Sequence, residues 1–578
     1  MVALAAVAFA IGAIAGAGHG ASARDRLAAR FVSAWTKGDY ARMYLDLDAP
    51  SRRAISAAAF AGDYERALRT ATATRLSIAG RPRDLAGGRV RMPVRVRTRL
   101  FGTLALAFEL GVRTHGGEAQ IAWSPSLAFP GLRHGETLGR RITMPPRARL
   151  LARDRSVLAE GSPSVAGRRR SPLGDLVRAA LGALGPAPAA RQPTLEAQGV
   201  PPETMVGVSG LEQALDGRLL GVPGGQLLAV AARPGLAERV LASAAARPAP
   251  AVRTTISPAL QRAAVAALGG QFGGIVALAP STGEILAVAG IGLEGLQPPG
   301  STFKMITLAG VLEARIAGPH SLFPYATHAT LDGVKLSNAS GEECGGSLEL
   351  AFAVSCNSVF APLGVKLGAA RLVAAAERFG FNHDPGIEGA AESTLPPADQ
   401  IKGELAVGST AIGQGQVQAS PLEMALVAAT IADAGRRPHP SFTPASRRAP
   451  GPAVLSAAVA RTVRRLMVGV VRDGTGAAAA IPGVVVAGKT GTAELKSECR
   501  GSGAAAAQGE PRPSEAPPAG CQGAASEPSN TDAWFAAFAP ALDPRIVVGV
   551  LLVKDGAGGV TAAPVARQVL EAGLRASR

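Results

Sequence analysis

The chain is 578 residues long, which suggests three or four domains with large buried cores. Its formal net charge is +17, but the positive residues are dispersed along the sequence and only 4% of all residues are aromatic. Proteins that bind nucleic acids cluster their basic residues and supply aromatic rings for stacking on bases, so we expect no nucleic-acid partner.

The chain begins with an uncharged apolar stretch, residues 2–18, which is just long enough to span a bilayer. We predict that residues 1–21 are a membrane anchor, and that the protein lies at the cell membrane with most of the chain outside the cytoplasm. The usual basic residues before such a stretch are missing, and arginines follow it instead. A cleaved signal peptide and a buried core helix are the alternative interpretations.

Residues 22–127 are predicted to form a small α+β domain. Leu27 and Phe31 recur at helical spacing, which indicates an amphipathic helix. Further along, Val94 and Val96 alternate with arginines, as in a strand with one buried and one exposed face. We interpret the arginine row as a solvated face rather than a ligand site. The row consists of Arg95, Arg97 and Arg99.

Residues 128–250 are predicted to be a scaffold domain without catalytic groups. The arginine run 168–170 and the alternating prolines of 185–188 indicate loops. The Pro-Ala-Pro sequence at 248–250 is predicted to be the linker to the last domain.

Residues 251–578 are predicted to form an α/β sandwich. Two apolar runs, 275–278 and 285–288, flank a turn sequence and indicate a strand–turn–strand unit. Two further strands are predicted at 533–538 and 546–553, before a final helix. Strands at both ends of the domain, with helices between them, predict one sheet that is closed by its two termini.

The first candidate catalytic pair is Ser301 and Lys304, at the start of an apolar segment, 305–312, that predicts a buried helix. The two residues are three positions apart and therefore share a helix face. A neutral lysine can take the proton of a serine hydroxyl if burial or a second cation lowers its pKa from about 10.4. The alternative is a helix cap beside a solvated lysine.

Two further motifs follow in the sequence. Ser355 and Asn357 suit a proton relay and an amide that holds a substrate backbone, although alone they would be ordinary helix-end residues. The last motif follows a β-branched run at 484–488 that predicts a buried strand, whose edge could pair with an extended peptide. Alone, its lysine would be an ordinary strand-end residue. The motif consists of Lys489, Thr490, Gly491 and Thr492.

Ser-x-x-Lys, Ser-x-Asn and Lys-Thr-Gly in this order resemble the motifs of the penicillin-recognising serine acyl-transferases. The segments 145–159, 413–415 and 420–422 are also similar to stretches of the penicillin-binding proteins. Without a glycosyltransferase signature, the chain resembles their class B. The helices and sheet of 22–127 resemble the NTF2-like N-terminal domain of some Gram-positive members.

The resemblance implies a multidomain α+β protein. Its parts would be an anchor or signal segment at 1–21, an NTF2-like domain at 22–127, a pedestal or dimerisation domain at 128–250, and a penicillin-binding α/β sandwich transpeptidase domain at 251–578.

The resemblance also implies that the protein cross-links peptidoglycan through an acyl-enzyme formed by Ser301 with D-Ala-D-Ala stem peptides, and that it binds penicillin there. Lys304 would be the base and Ser355 the relay, and Lys489 would lower the pKa of Lys304. The N–H groups of Ser301 and Thr492 would hold the oxyanion. A D,D-carboxypeptidase, a β-lactamase and a non-catalytic β-lactam sensor are the alternatives.

The implied partners are peptidoglycan stem peptides, β-lactam antibiotics, the membrane and a lipid-linked glycan polymerase. We expect no cofactor and no metal ion, because the histidines and cysteines are isolated from one another in the sequence.

An exported chain with four cysteines is expected to form disulfides, and four cysteines allow three pairings. We expect Cys344 to pair with Cys356, and Cys499 with Cys521, because short loops are the easiest to close. The first disulfide would fix Asn357 beside Ser301. The alternative for Cys356 is a buried free thiol.

Overall fold

A computed structural model of the chain describes residues 22–115, 118–164, 167–231, 238–444, 450–494 and 530–576. Their contacts divide them into two compact units. The first contains the described residues up to Pro145, with Ala187–Thr204 and Gly221–Pro248, and the second contains Pro146–Pro186, Met205–Leu220 and the chain from Ala249 onward. The predicted pedestal, 128–250, contributes to both units. The predicted anchor, 1–21, lies outside the described residues.

The N-terminal part of the first unit is an antiparallel sheet covered by helices. Its elements are α1 (Ala23–Lys37), α2 (Tyr40–Leu45), α3 (Ala49–Ala54), α4 (Ala57–Thr70), β1 (Ala73–Ile78), β2 (Arg83–Leu85), β3 (Arg89–Thr98), β4 (Thr103–His115), β5 (Glu118–Ala122) and β6 (Glu136–Thr143). The strand order is β1-β3-β4-β5, and β2 also pairs with β3. Ser22 and Asp25 form a capping box that starts α1, and Leu27 and Phe31 are buried as their spacing predicts.

The middle of the chain consists of short elements. They are β7 (Leu150–Leu151), β8 (Val157–Ala159), α5 (Arg178–Leu181), β9 (Leu184–Gly185), α6 (Gln192–Ala197), β10 (Val206–Gly207), α7 (Gly210–Ala214), α8 (Asp216–Leu219), β11 (Gly224–Ala231), β12 (Arg239–Ala244) and β13 (Val252–Arg253). Buried ion pairs stabilise the part that belongs to the second unit. Arg169 Nε donates to Glu212 Oε1 at 2.7 Å, and Arg147 Nη1 lies 2.7 Å from Asp216 Oδ1. Arg169, from the predicted arginine loop, is therefore buried rather than solvated.

The C-terminal part of the second unit is an α/β sandwich. Its elements are α9 (Pro258–Leu268), β14 (Gly273–Leu278), β15 (Ile285–Gly290), α10 (Lys304–Glu313), β16 (Leu322–Ala326), β17 (His328–Leu331), β18 (Val334–Ser337), β19 (Cys344–Ser347), α11 (Leu348–Ala353), α12 (Asn357–Leu367), α13 (Ala369–Phe379), α14 (Glu404–Ala411), α15 (Pro421–Ala432), α16 (Ala457–Asp473), β20 (Ala487–Glu494), β21 (Thr531–Ala539), β22 (Ile546–Leu552) and α17 (Ala562–Ala576). The antiparallel order β15-β14-β22-β21-β20 confirms a sheet built from both ends of the domain. One sheet face packs against α9 and α17, and the other against the core that contains α10 and α15.

The predicted buried strand at 484–488 is wrong for residues 484–486 and confirmed for Ala487 and Gly488. Val484 closes a tight bridge with Ile481 around Gly483, whose φ is +74°, and β20 begins only at Ala487. The side chain of Val485 is half exposed. The length of the hydrophobic run predicted the wrong start for this strand. The buried positions of β20 are occupied by small residues and by Lys489 instead.

In the part of the chain that the structure describes, no single helix combines the length and apolar character needed to cross a membrane. Helices α12 and α13 meet that requirement only as a pair, and the chain bends by 100° between them. Both helices contribute side chains to the core of the second unit.

Candidate active site

The nucleophile candidate Ser301 lies in a 3-10 turn, Gly300–Phe303, that leads directly into α10. The sequence predicted Ser301 at the start of the α-helix itself, which instead begins three residues later. Gly300 has a φ of +51°, and its N–H donates to the carbonyl of Gly413 at 2.9 Å. A Cβ atom at Gly300 would lie 2.6 Å from the carbonyl oxygen of Thr492, so the turn and β20 approach too closely for another residue.

Lys304, the first residue of α10, is fully buried. Its Nζ donates to the Ser355 carbonyl and to Asn357 Oδ1, each at 2.6 Å, and lies 3.4 Å from Ser355 Oγ. Among the described residues it forms no hydrogen bond with Ser301 Oγ, although the spacing placed the two on one face. The structure thus joins the base candidate to the second motif.

Ser355 lies between two lysine amines. Its φ is +63°, a left-handed conformation that is unfavourable for a residue with a side chain. In this conformation Ser355 Oγ accepts a hydrogen bond from Lys489 Nζ at 2.8 Å while it remains 3.4 Å from Lys304 Nζ. The strained backbone therefore places one hydroxyl where it can pass a proton between the two amines.

Asn357 is the first residue of α12, and both ends of its side-chain amide are engaged. Its Oδ1 accepts from Lys304, and its Nδ2 donates to the backbone carbonyl of Ser337 in β18 at 2.8 Å. These two contacts fix the orientation of the amide. The second Nδ2 hydrogen stays available to a substrate carbonyl.

Lys489 is fully buried on β20, which is an edge strand of the sheet. Besides Ser355 Oγ, its Nζ donates to the Thr490 carbonyl at 3.1 Å. Gln414 Nε2 donates to the Thr492 carbonyl at 3.4 Å. Since the Lys489 and Gln414 side chains, rather than strand β21, reach these carbonyls, Thr490 and Thr492 direct their C=O and N–H groups to the unpaired edge, where an extended peptide could pair.

The two oxyanion candidates, the N–H groups of Ser301 and Thr492, belong to segments in direct contact. A Cβ atom at Gly491 would lie 2.6 Å from the Pro299 carbonyl oxygen, just before the nucleophile turn. The absence of a side chain at Gly491 thus allows the backbone of β20 to lie in direct contact with that turn. Preorganised N–H donors of this kind stabilise the charge that develops on a carbonyl oxygen during acyl transfer.

Burial changes the protonation of both lysines. It lowers the pKa of Lys489 from 10.5 to about 7. Burial and the nearby charge of Lys489 lower the pKa of Lys304 well below its ordinary value. A neutral Lys304 has two N–H bonds, which its contacts to Ser355 O and Asn357 Oδ1 use. Its lone pair is then free to accept a proton.

A disulfide joins Cys344 at the start of β19 to Cys356. This is the first of the two expected pairings, and it holds the residue that precedes Asn357. Ser358 Oγ lies 3.1 Å from Cys356 Sγ and 3.3 Å from the Ala326 carbonyl, which adds polar contacts around the same turn. Cys499 and Cys521, expected to form the second disulfide, lie outside the described residues.

Three groups at the site were missed by the sequence analysis. The Ser337 carbonyl orients Asn357, Gln414 contacts the free edge of β20, and Thr475 Oγ1 lies 2.6 Å from Thr490 Oγ1. Gln414 lies in the 413–415 segment that carried part of the family resemblance, so it had a sequence signal. A backbone carbonyl and a lone threonine have none.

Three protein families match successive parts of the chain. The NTF2-like N-terminal transpeptidase domain matches residues 23–136, and the penicillin-binding protein dimerisation domain matches residues 162–249. The penicillin binding protein transpeptidase domain matches residues 273–571, which is more than half of the chain.

Characterised relatives show the same relationship. Over 389 residues the chain is 34% identical to the peptidoglycan D,D-transpeptidase PbpA of Mycolicibacterium smegmatis, covering 56% of this chain and 72% of that protein. The PbpA of Mycobacterium tuberculosis matches with the same values. The crystal structure of PBPA from Mycobacterium tuberculosis aligns at a TM-score of 0.55 with 27% identity, covering 74% of this chain and 99% of that chain. A D,D-transpeptidase domain from Eggerthella lenta aligns at 0.56 with 28% identity, covering 75% and 99%.

Removal of the disulfide is predicted to destabilise the protein. In the double variant Cys344→Ser/Cys356→Ser, the unfolded chain regains the freedom of a loop closed over a separation of 12 residues. The free energy of unfolding should fall by about 2–4 kcal/mol, measured by denaturant titration. In the presence of reductant, wild type and the double variant should have nearly the same stability, which serves as the control. An unchanged stability, or free alkylation of Cys356 without reductant, would contradict the prediction.

The buried lysines predict a pH-dependent stability. Between about pH 7 and 10.5 the unfolded chain keeps a proton on Lys489 that the folded chain has lost, so stability should rise with pH across this window. The slope is at most about 1.4 kcal/mol per pH unit for one such group. Wild type should therefore gain stability relative to Lys489→Met as the pH rises, in parallel denaturant titrations.

The exposed Lys335 provides the control for this titration. The difference in unfolding free energy between wild type and Lys335→Met should be flat over the same pH range, since that lysine is exposed in the folded protein as well. A flat difference for Lys489→Met as well would refute a neutral Lys489 above pH 7.

Proposed function

Because the chain belongs to the penicillin-binding protein transpeptidase family, as a class B member with an NTF2-like N-terminal domain, we propose that it cross-links peptidoglycan as a serine D,D-transpeptidase. The observation that carries this proposal is the convergence of the Ser301 turn, Lys304, Ser355 and Lys489 at the free edge of β20. The family binds penicillin covalently, and the nucleophile for both reactions is Ser301.

The first half-reaction transfers the donor stem peptide to Ser301. Lys304 accepts the hydroxyl proton as Oγ attacks the carbonyl carbon of the penultimate D-alanine, and the N–H groups of Ser301 and Thr492 hold the resulting oxyanion. The C–N bond then breaks. The leaving D-alanine amine receives a proton through Ser355, which contacts both lysines.

The second half-reaction reverses these roles. The amine of an acceptor stem peptide attacks the acyl-enzyme ester, and its proton passes to Lys304. The ester bond to Ser301 Oγ breaks and the serine regains its proton, so that one new amide bond remains as the cross-link. During the first half-reaction, Lys489 and the Thr490 hydroxyl would face the carboxylate of the terminal D-alanine, which departs with that residue. In both half-reactions, Asn357 Nδ2 would face a substrate carbonyl.

Membrane attachment is the second part of the proposal. The apolar stretch 2–18 supports an anchor, which places the protein at the cell membrane with most of the chain outside the cytoplasm. There it would meet lipid-linked precursors and a glycan polymerase that supplies strands for cross-linking. Fractionation of cells that express the full chain tests this, and recovery in the soluble fraction would contradict it.

Replacement of the nucleophile is predicted to abolish acylation. Ser301→Ala removes the oxygen that attacks the carbonyl, so fluorescent penicillin should no longer label the protein. A peptide thioester should likewise form no adduct, as followed by time-resolved mass spectrometry. Ser358→Ala, which removes a nearby hydroxyl on α12, is the control and should label normally. Labelling of Ser301→Ala at the wild-type rate would remove Ser301 from this role.

The same mass spectrometry distinguishes a transpeptidase from the alternative functions. With wild type, a thioester and an amine acceptor, the acyl adduct should decay mainly to the aminolysis product. Decay mainly to the hydrolysed peptide would identify a carboxypeptidase, and rapid release of hydrolysed penicillin a β-lactamase. An adduct with penicillin but none with the thioester would identify a sensor.

Loss of the base is predicted to slow acylation without unfolding the site. Lys304→Met keeps the length and packing of the side chain but removes the lone pair that takes the serine proton. The acylation rate with penicillin should fall by at least about 100-fold, as expected for a general base. Lys366→Met, at an exposed position on α12, should react like wild type. A wild-type rate in Lys304→Met would assign the base to another group.

A further inference from the structure

The N-terminal sheet carries a dense positive charge on one face. Side chains of β3 alternate between a buried face and an exposed face, and the cross-strand register extends the exposed face to β1 and β2. On this face the three strands themselves hold no acidic residue, because the exposed Asp84 of β2 lies opposite the buried Val90. Glu109 of the next strand, β4, lies directly opposite Arg91. The arginines of the three strands on this face are Arg75, Arg83, Arg89, Arg91, Arg95 and Arg97.

The register brings like charges together on this face. Arg75 lies directly opposite Arg97, and Arg83 lies directly opposite Arg91. Like charges in such positions destabilise a sheet. An arginine-rich composition accounts for the number of arginines, but not for their placement against one another.

Most of these arginines lack a partner among the described residues. Arg89 pairs with Glu109 of β4 at 3.0 Å. The other five, which we call the arginine face, form neither a hydrogen bond from the side chain nor an ion pair within the residues that the structure describes. They are Arg75, Arg83, Arg91, Arg95 and Arg97. The fold therefore keeps an unfavourable array of charges that an external anion would relieve.

The geometry of the arginine face fits an extended planar anion. Arginines two positions apart on a strand are separated by about 7 Å, and neighbouring strands by about 4.8 Å, so the cations form a two-dimensional lattice. Guanidinium groups bind phosphate oxygens in a bidentate manner. The other outward residues on these strands, which include Ser77, Leu85 and Pro93, offer no aromatic ring on which a base or sugar could stack.

We propose that the arginine face docks on the anionic phospholipid surface of the membrane. The inference rests on the proposed membrane attachment, since the apolar stretch 2–18 ends four residues before the cap of α1 at Ser22. A basic surface and an apolar segment are two signals that together hold a protein on a bilayer. Docking would fix the orientation of the N-terminal domain against the membrane.

Arginine footprinting of the full chain tests the proposal. The protein is placed in nanodiscs of phosphatidylcholine alone or mixed with phosphatidylglycerol, treated with phenylglyoxal and mapped by peptide mass spectrometry. The arginine face should react several-fold more slowly in the anionic nanodiscs, and the protection should disappear near 1 M salt, where the Debye length is about 3 Å. Arg42 and Arg53, exposed on α2 and α3, should react equally in both.

Charge-matched variants identify the groups responsible. In Arg91→Gln/Arg95→Gln/Arg97→Gln, the protection of Arg75 and Arg83 should be lost. The thermal midpoint should not fall, because the like-charge pairs of Arg75 with Arg97 and of Arg83 with Arg91 are removed while Glu109 keeps its ion pair with Arg89. Arg42→Gln/Arg53→Gln/Arg66→Gln removes the same charge from helices and should keep the protection.

Other outcomes overturn the proposal. Equal reaction rates in the two nanodiscs, or equal protection of Arg42 and Arg53, would show that the arginine face makes no specific contact with lipid. Protection by soluble poly(glycerol phosphate) but not by lipid would assign the face to a wall polymer.

The experiment distinguishes refutation of the membrane anchor from refutation of lipid docking by the arginine face. If the chain does not elute with phosphatidylcholine nanodiscs, the anchor is refuted and vesicles are added to the free protein instead. If the wild-type protein then pellets with phosphatidylglycerol vesicles and the Arg91→Gln/Arg95→Gln/Arg97→Gln variant does not, the result supports lipid docking by the arginine face. Pelleting with neither lipid would refute both.

Discussion

The site depends on two buried lysine amines that share one serine hydroxyl. Lys304 and Lys489 are both fully buried, and Ser355 Oγ lies within 3.4 Å of each amine. Two buried ammonium groups that contact the same hydroxyl would repel each other strongly, so at least one of the two amines must lose its proton. The rings of Phe360 and Phe352, 5.7 and 5.5 Å from the respective amines, help to stabilise the charge that remains.

Most of the surrounding structure serves to hold these three groups in place. The left-handed backbone of Ser355 is strained, and the disulfide at Cys356 and the contact from Ser337 to Asn357 restrain the turn that contains it. Glycine at position 491 lets β20 approach the nucleophile turn. The five-stranded sheet in turn fixes β20 as the edge that a peptide can join.

More of the active site than of the surrounding structure could be predicted from the sequence. The serine, lysine and asparagine motifs are recognisable because the chemistry requires particular side chains at short spacings. Ser337 acts through a backbone carbonyl and Thr475 through a contact made only by folding, so neither has a local pattern. The run at 484–486 misled the strand assignment because β20 buries small residues and a lysine. The spacing of Ser301 and Lys304 predicted that they lie close together, but could not show that Asn357 and Ser355 hold the amine.

The proposed mechanism requires Lys304 to be a neutral amine at the pH where the enzyme works. Nitrogen NMR of the full chain with labelled lysine side chains tests it most directly, because the sequence contains only eight lysines and Lys304→Met identifies the signal. The Nζ of Lys304 should have the chemical shift of a neutral amine at neutral pH, and that of an ammonium group only after acidification. An ammonium shift for Lys304 that persists into alkaline solution would contradict the proposed mechanism.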